Sequence, residues 1–215
     1  MTHGVETCDR EPGAMAGTIS RRTVLQAGIA VAGTAAIATS AGAWLATRGS
    51  LIAYYKVVYD REHPAAQSFG RAAAAAGLPA QAIDRDITSL WYHDLYHRWR
   101  QGLVAIAGMT PVRTAFCLQL FAQDVGMRVV YRAEHRPIAS GALEHRVTAP
   151  AVLLRQCSQL DAGRGWAAAA AALVGQCPAE LKGRAGRVLC SAEASGFAHD
   201  ETLVSWVIAP VPRKA

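Results

Sequence analysis

The chain has 215 residues, enough for one good-sized domain and cramped for two. A composition that is 52% hydrophobic and 18% charged is that of a globular protein and excludes a disordered or fibrous one. The formal charge of +6 is spread as scattered arginines rather than gathered in a basic stripe with interleaved aromatics, so nucleic acid is not an expected partner.

The chain opens on its clearest signal. Residues 20–26 read SRRTVLQ, and from Thr23 to Thr47 no residue is charged. This resembles a twin-arginine (Tat) export signal, with the consensus S-R-R-x-F-L-K. Ser20, Arg21, Arg22 and Leu25 match, while Val24 stands where Phe is usual and Gln26 where Lys is usual. The resemblance covers residues 1–45 and implies transport of the folded protein by the Tat translocase into the periplasm. Ala41 and Ala43 form an A-x-A cleavage box, which makes 1–43 the leader and Trp44 the new N-terminus. Left uncleaved, the apolar stretch is long enough to cross the roughly 30 Å hydrocarbon core as a helix and to anchor the protein to the inner membrane. Tat substrates often carry a cofactor or travel with a folded partner, so the resemblance also implies such a companion.

Residues 44–136 read as strand–helix repeats. Residues 54–59 are rich in β-formers. Pro64 then opens a helical stretch that Gly77 closes, the expected Pro-first, Gly-last asymmetry. Residues 80–83 form a short second strand, and a helix follows from about residue 88 to 100. Residues 103–107 are an apolar run typical of a buried strand. Gly108, Met109 and Thr110 read as a turn, with Thr110 as N-cap and Pro111 as the first residue of a helix that ends at Gly126. A further strand covers 127–131. Beyond it, 137–150 reads as a loop, 151–160 and 163–175 as helical, and residues 186–194 and 201–209 as an antiparallel hairpin.

The fold expected for 44–215 is therefore a single three-layer α/β domain. Its core is a mainly parallel sheet of about four strands with flanking helices, and the C-terminal hairpin is added at the edge. No G-x-G-x-x-G follows the first strand and no G-x-S-x-G occurs, so neither a dinucleotide site nor a hydrolase elbow is expected. No cofactor is recognisable.

His93 and His97 stand four apart in WYHDLYHR, one Asp-for-Glu exchange from the H-E-x-x-H zinc signature. On a helical wheel Trp91, Tyr92, Leu95 and Trp99 form the apolar stripe, Asp94 and Arg98 pair across a turn, and both histidines point away from the core. A solvated face is the favoured reading and a metal site the alternative. Outside the leader, which holds Cys8, four cysteines remain at spacings of 40, 20 and 13, without a C-x-x-C. Cys177 with Cys190 is the preferred disulfide in an oxidising compartment, and buried thiols are the alternative.

In open α/β sheets ligands bind beyond the carboxyl ends of the strands. Three such ends carry chemistry here: Asp60, Arg61 and His63; the Gly108–Thr110 turn; and Arg132, Glu134, His135 and Arg136. The turn offers backbone N–H groups to an anion, the arginines offer a clamp, and His63 or His135 offers acid–base chemistry. Three functions follow as expectations. The first is an exported binding or accessory protein, a subunit or escort of an exported redox or cofactor enzyme. The second is a small periplasmic enzyme acting on an anionic small molecule at the strand ends. The third is a metal-binding protein through His93 and His97.

Overall fold

Val57 and Val58 are adjacent in strand β1 (Tyr54–Asp60), yet both are fully buried. Successive side chains in a strand face opposite ways, so β1 must be covered on both faces. The computed structural model shows the two covers and describes residues 50–138, 142–161, 165–180, 185–193 and 201–210. The export residues Ser20, Arg21, Arg22 and Leu25 and the cleavage residues Ala41 and Ala43 lie outside these. Among the described residues no helix is long and apolar enough to cross a membrane.

The protein is α/β, with a seven-stranded mixed sheet and helices on both faces. The strands are β1, β2 (Ala80–Ile83), β3 (Ala105–Pro111), β4 (Met127–Pro137), β5 (Ala142–Pro150), β6 (Ala185–Glu193) and β7 (Leu203–Pro210), in the order β2-β1-β3-β7-β4-β5-β6. One face is packed by α1 (Pro64–Ala75), the short α4 (Ala151–Leu154), a 3-10 turn at Cys157–Asp161 and α5 (Trp166–Gly175). The other is packed by α2 (88–101) and by α3 (Val112–Asp124). Helix α2 opens as Thr88–Leu90, passes through a π-helical stretch at Trp91–Leu95 and closes as Tyr96–Gln101.

The sheet differs from the expected one in three ways. Strands β1 to β4 do run in one direction, since β1 pairs parallel with β2 and β3, but β7 is wedged between β3 and β4 and antiparallel to both. The expected C-terminal hairpin does not form, because β6 pairs with β5 at the edge. Seven consecutive residues of β7, Leu203–Ala209, are buried, and such a strand belongs in the middle of a sheet with both faces covered. Third, residues 142–150 are not a loop. They are β5, with Leu143, His145, Val147 and Ala149 turned inward and Glu144, Arg146 and Thr148 turned out.

Helix α2 carries another correction. The π-helical stretch adds residues to the turn, so a regular wheel slips. Tyr92 leaves the apolar stripe and is exposed, while Leu90, Leu95 and Trp99 are buried. Asp94 does not meet Arg98. It binds Lys56 Nζ at 2.7 Å and accepts from the Tyr55 hydroxyl at 2.7 Å, which ties α2 to β1. Trp91 stacks on Phe121 of α3, with ring centroids 4.1 Å apart.

Candidate functional site

The shared direction of β1 to β4 brings their carboxyl ends to one edge of the sheet, and β7 enters the sheet at the same edge. Asp60, the last residue of β1, is fully buried there. Its Oδ1 accepts the backbone N–H of Glu62 at 2.9 Å, which turns the chain toward α1. His63 takes the N-cap position in extended backbone, and Pro64 follows at the first helical position.

This local geometry sets the His63 ring between two carboxylates. Nδ1 lies 3.4 Å from Asp60 Oδ1, an electrostatic contact rather than an aligned hydrogen bond. Nε2 lies 3.2 Å from Glu201 Oε2, and Glu201 Oε1 in turn lies 3.5 Å from Arg113 Nη2 on α3. The four groups grade from the interior outward. Asp60 and His63 are buried, Glu201 is half-buried and Arg113 is exposed. Asp60 Oδ2 is buried without a hydrogen-bond partner among the described residues. An orphan of that kind carries a desolvation cost of about 1–3 kcal/mol or more, unless a proton, water or ligand meets it.

Beside this series lies a cleft of about 420 Å³, lined by Asp84, Arg85, Asp86, Pro111, Arg113, Thr114 and Cys117. Arg113 belongs to both the cleft and the His63 series. The cleft wall is braced by ion pairs between Arg61 and Asp84 and, at 2.6 Å, between Arg85 Nε and Glu62. Arg85 has a positive φ of 54°, the one described non-glycine residue in the left-handed region. Hydrogen bonds from Thr88 hold the Asp86 carboxyl below the usual carboxylate range.

The other expected residues fall elsewhere. Gly108, Met109 and Thr110 do not form an anion-binding turn. They are buried inside β3, which runs on to Pro111 before α3 begins at Val112. Thr110 is not a cap, because its Oγ1 accepts the indole N–H of Trp206 at 3.0 Å in the core. Gly108 is required by packing, since a Cβ there would strike the Val58 carbonyl oxygen and lie 2.8 Å from the Trp206 ring. Arg132 pairs with Glu134 at 3.1 Å and Arg136 with Glu144 at 2.9 Å, all on the solvent side of the sheet.

His135 is in the core on the opposite face, with its Nδ1 2.7 Å from His145 Nδ1 and its Nε2 2.9 Å from Ser205 Oγ. His93 and His97 are exposed, and among the described residues no group of three His, Cys, Asp or Glu side chains is placed to hold a metal. Asp60 and Glu201 face opposite nitrogens of His63, so these three do not converge on one ion either. Cys177 and Cys190 carry thiols, not a bridge. Burial pushes the Cys177 thiol up to about 12, beside Tyr54, and Cys190 Sγ donates to the Cys157 carbonyl at 3.7 Å.

The strand-end rule found Asp60 and His63. It missed Arg113, at the start of the helix that follows β3, and Glu201, which meets β1 only because β7 enters mid-sheet. Compared with known protein families, curated proteins and solved structures, the chain finds no match.

Proposed function

We propose that the chain is a Tat-exported periplasmic protein that binds a small anionic molecule in the rim cleft and moves a proton on it through Glu201, His63 and Asp60. Arg113 supplies the cation that orients the ligand next to Glu201. Glu201 is the member that solvent and ligand reach. A proton taken there passes to His63 Nε2, and the buried Asp60 carboxylate stabilises the imidazolium that results. The observation that carries this reading is the carboxylate on each side of one buried imidazole, with the deeper carboxylate left with an unmatched oxygen. The ion-paired wall of the cleft supports it, because it holds the charges in place without consuming Arg113.

The test is native mass spectrometry of the protein isolated from the periplasm of its own host. The reading expects a chain that starts at Trp44 and a bound small molecule that is lost in Arg113→Ala. A chain isolated from the cytoplasm with its leader intact, or a bound species indifferent to Arg113, contradicts it.

A second reading is an accessory subunit or escort of an exported redox enzyme. One observation favours it: β5, β6 and the C-terminal part of β4 have no described helix over one face.

A further inference from the structure

The chain enters β5 straight from β4 and crosses to β6 on the α5 face, so beyond Met127 and Val129, which α3 covers, no described crossover lies over the other face of β4, β5 and β6. That open face is a grid of outward side chains in register. Arg136 sits beside Glu144, Glu134 beside Arg146 and then Leu189, and Arg132 beside Thr148 and then Arg187. Among these described side chains four arginines stand against two glutamates, so this part of the floor is net positive.

Helix α3 walls this floor on one side. Its core side is Thr114, Ala115, Leu118 and Ala122. Its outer side carries an apolar line at i, i+4 and i+8: Val112, Phe116 and Leu120, exposed at 38%, 54% and 43%. Spacing of that kind normally marks a face turned to a core, yet nothing described covers this one. Val112 and the floor residues Glu134, Arg136, Glu144 and Arg146 together line a notch of about 200 Å³. Leu189, 63% exposed, adds an apolar group far out on the floor. The wall and floor therefore form an angle with apolar anchor points and a basic surround, the shape that receives an amphipathic helix in a groove.

We propose that this angle docks an acidic amphipathic helix of a partner protein, its apolar stripe on Val112, Phe116 and Leu120 and its carboxylates over the arginine floor. A second copy of this chain fits poorly, because a two-fold contact sets the same arginine-rich floor against itself. Single-stranded nucleic acid fits poorly too, because among the described residues the wall and floor expose one aromatic ring, Phe116, where successive bases need several.

The experiment measures fluorescence anisotropy of the intact protein with a labelled helical peptide of about 18 residues, five turns, with leucines on one stripe and glutamates on its flanks. The same peptide with lysines for glutamates and an oligonucleotide of equal negative charge are the comparison probes. The acidic peptide is expected to bind, and the lysine version to bind at least about tenfold more weakly. Phe116→Asp and Arg187→Glu should each weaken the acidic peptide about tenfold, while Arg71→Glu on α1 leaves it unchanged. Both altered side chains are exposed, and an unchanged unfolding midpoint shows that each variant is folded. Failure of the acidic peptide to bind, equal binding of the lysine peptide, indifference to both substitutions, or displacement of the peptide by the oligonucleotide overturns the proposal. Binding unaltered in Glu201→Gln keeps this surface distinct from the rim site.

Discussion

His135 Nδ1 lies 2.7 Å from His145 Nδ1, and both rings are fully buried under Trp166, whose centroid is 4.6 Å and 5.3 Å away. At that distance only one of the two nitrogens carries a proton. The three contacts form one relay that can run either way: Tyr131 O–H to Ser205, Ser205 O–H to His135 Nε2 and His135 Nδ1–H to His145 Nδ1, or every bond reversed. Protonating one ring places a positive charge in the core, and protonating both sets an N–H against an N–H.

Stability should therefore fall with acid. Burial, reinforced by His145, holds the His135 pKa well below its ordinary value near 6.5. The unfolded chain then binds a proton that the folded chain refuses, so stability is fully present above about 6.5 and is lost progressively as pH falls below it. The groups that face the pair include Tyr131, Ser205, Trp166 and, across the strand from His145, Cys190, all uncharged. Urea midpoints between pH 5 and 8 should decline below about 6.5, and His145→Gln, though less stable throughout, should decline less steeply. An equally steep decline in the variant removes His145 from the effect.

Gly108→Ala should destabilise the protein by about 1–3 kcal/mol or prevent folding, because its Cβ has no room between the Val58 carbonyl and the Trp206 ring. Denaturant midpoints measure this. A variant as stable as the wild type contradicts the close approach of β3 to β1 and β7.

Thiol labelling should follow burial. Cys117 is exposed and should react with iodoacetamide first, while Cys177, buried and pushed up to about 12, should resist until the protein unfolds. Non-reducing peptide mapping that finds Cys177 joined to Cys190 contradicts this arrangement.

Export should depend on the arginine pair. Replacing Arg21 and Arg22 together by lysine should leave the protein in the cytoplasm, as fractionation and immunoblotting will show, and unchanged periplasmic recovery rules the Tat route out.

Much of the architecture was legible because its signals are local. Pro64 and Gly77 bracket α1, and the run at Ala80 marks β2. The strand at 142–150 was also written locally, in the alternation of Leu143, His145, Val147 and Ala149 with Glu144, Arg146 and Thr148. Pro137, which ends β4, and Pro150, which ends β5, read as loop punctuation instead. The place of β7 is not a local property. Only its unbroken burial-grade run, from Leu203 to Ala209, hinted at a central strand, and strand partners far away in the sequence, such as His135 and Pro111 for Leu203, decide the rest. The site divides along the same line. Asp60 and His63 are three residues apart and readable together, whereas Glu201 reaches His63 across 138 residues of sequence.

The most direct test of the rim site is the thermal midpoint measured with a panel of small carboxylates and phosphates. Ligand bound only to the folded state raises that midpoint. At least one compound should stabilise the wild type, and Arg113→Ala should lose that shift while keeping the unliganded midpoint. If no compound in the panel stabilises the wild type, or if Arg113→Ala keeps the full shift, the rim is not an anion site and the proposed function fails.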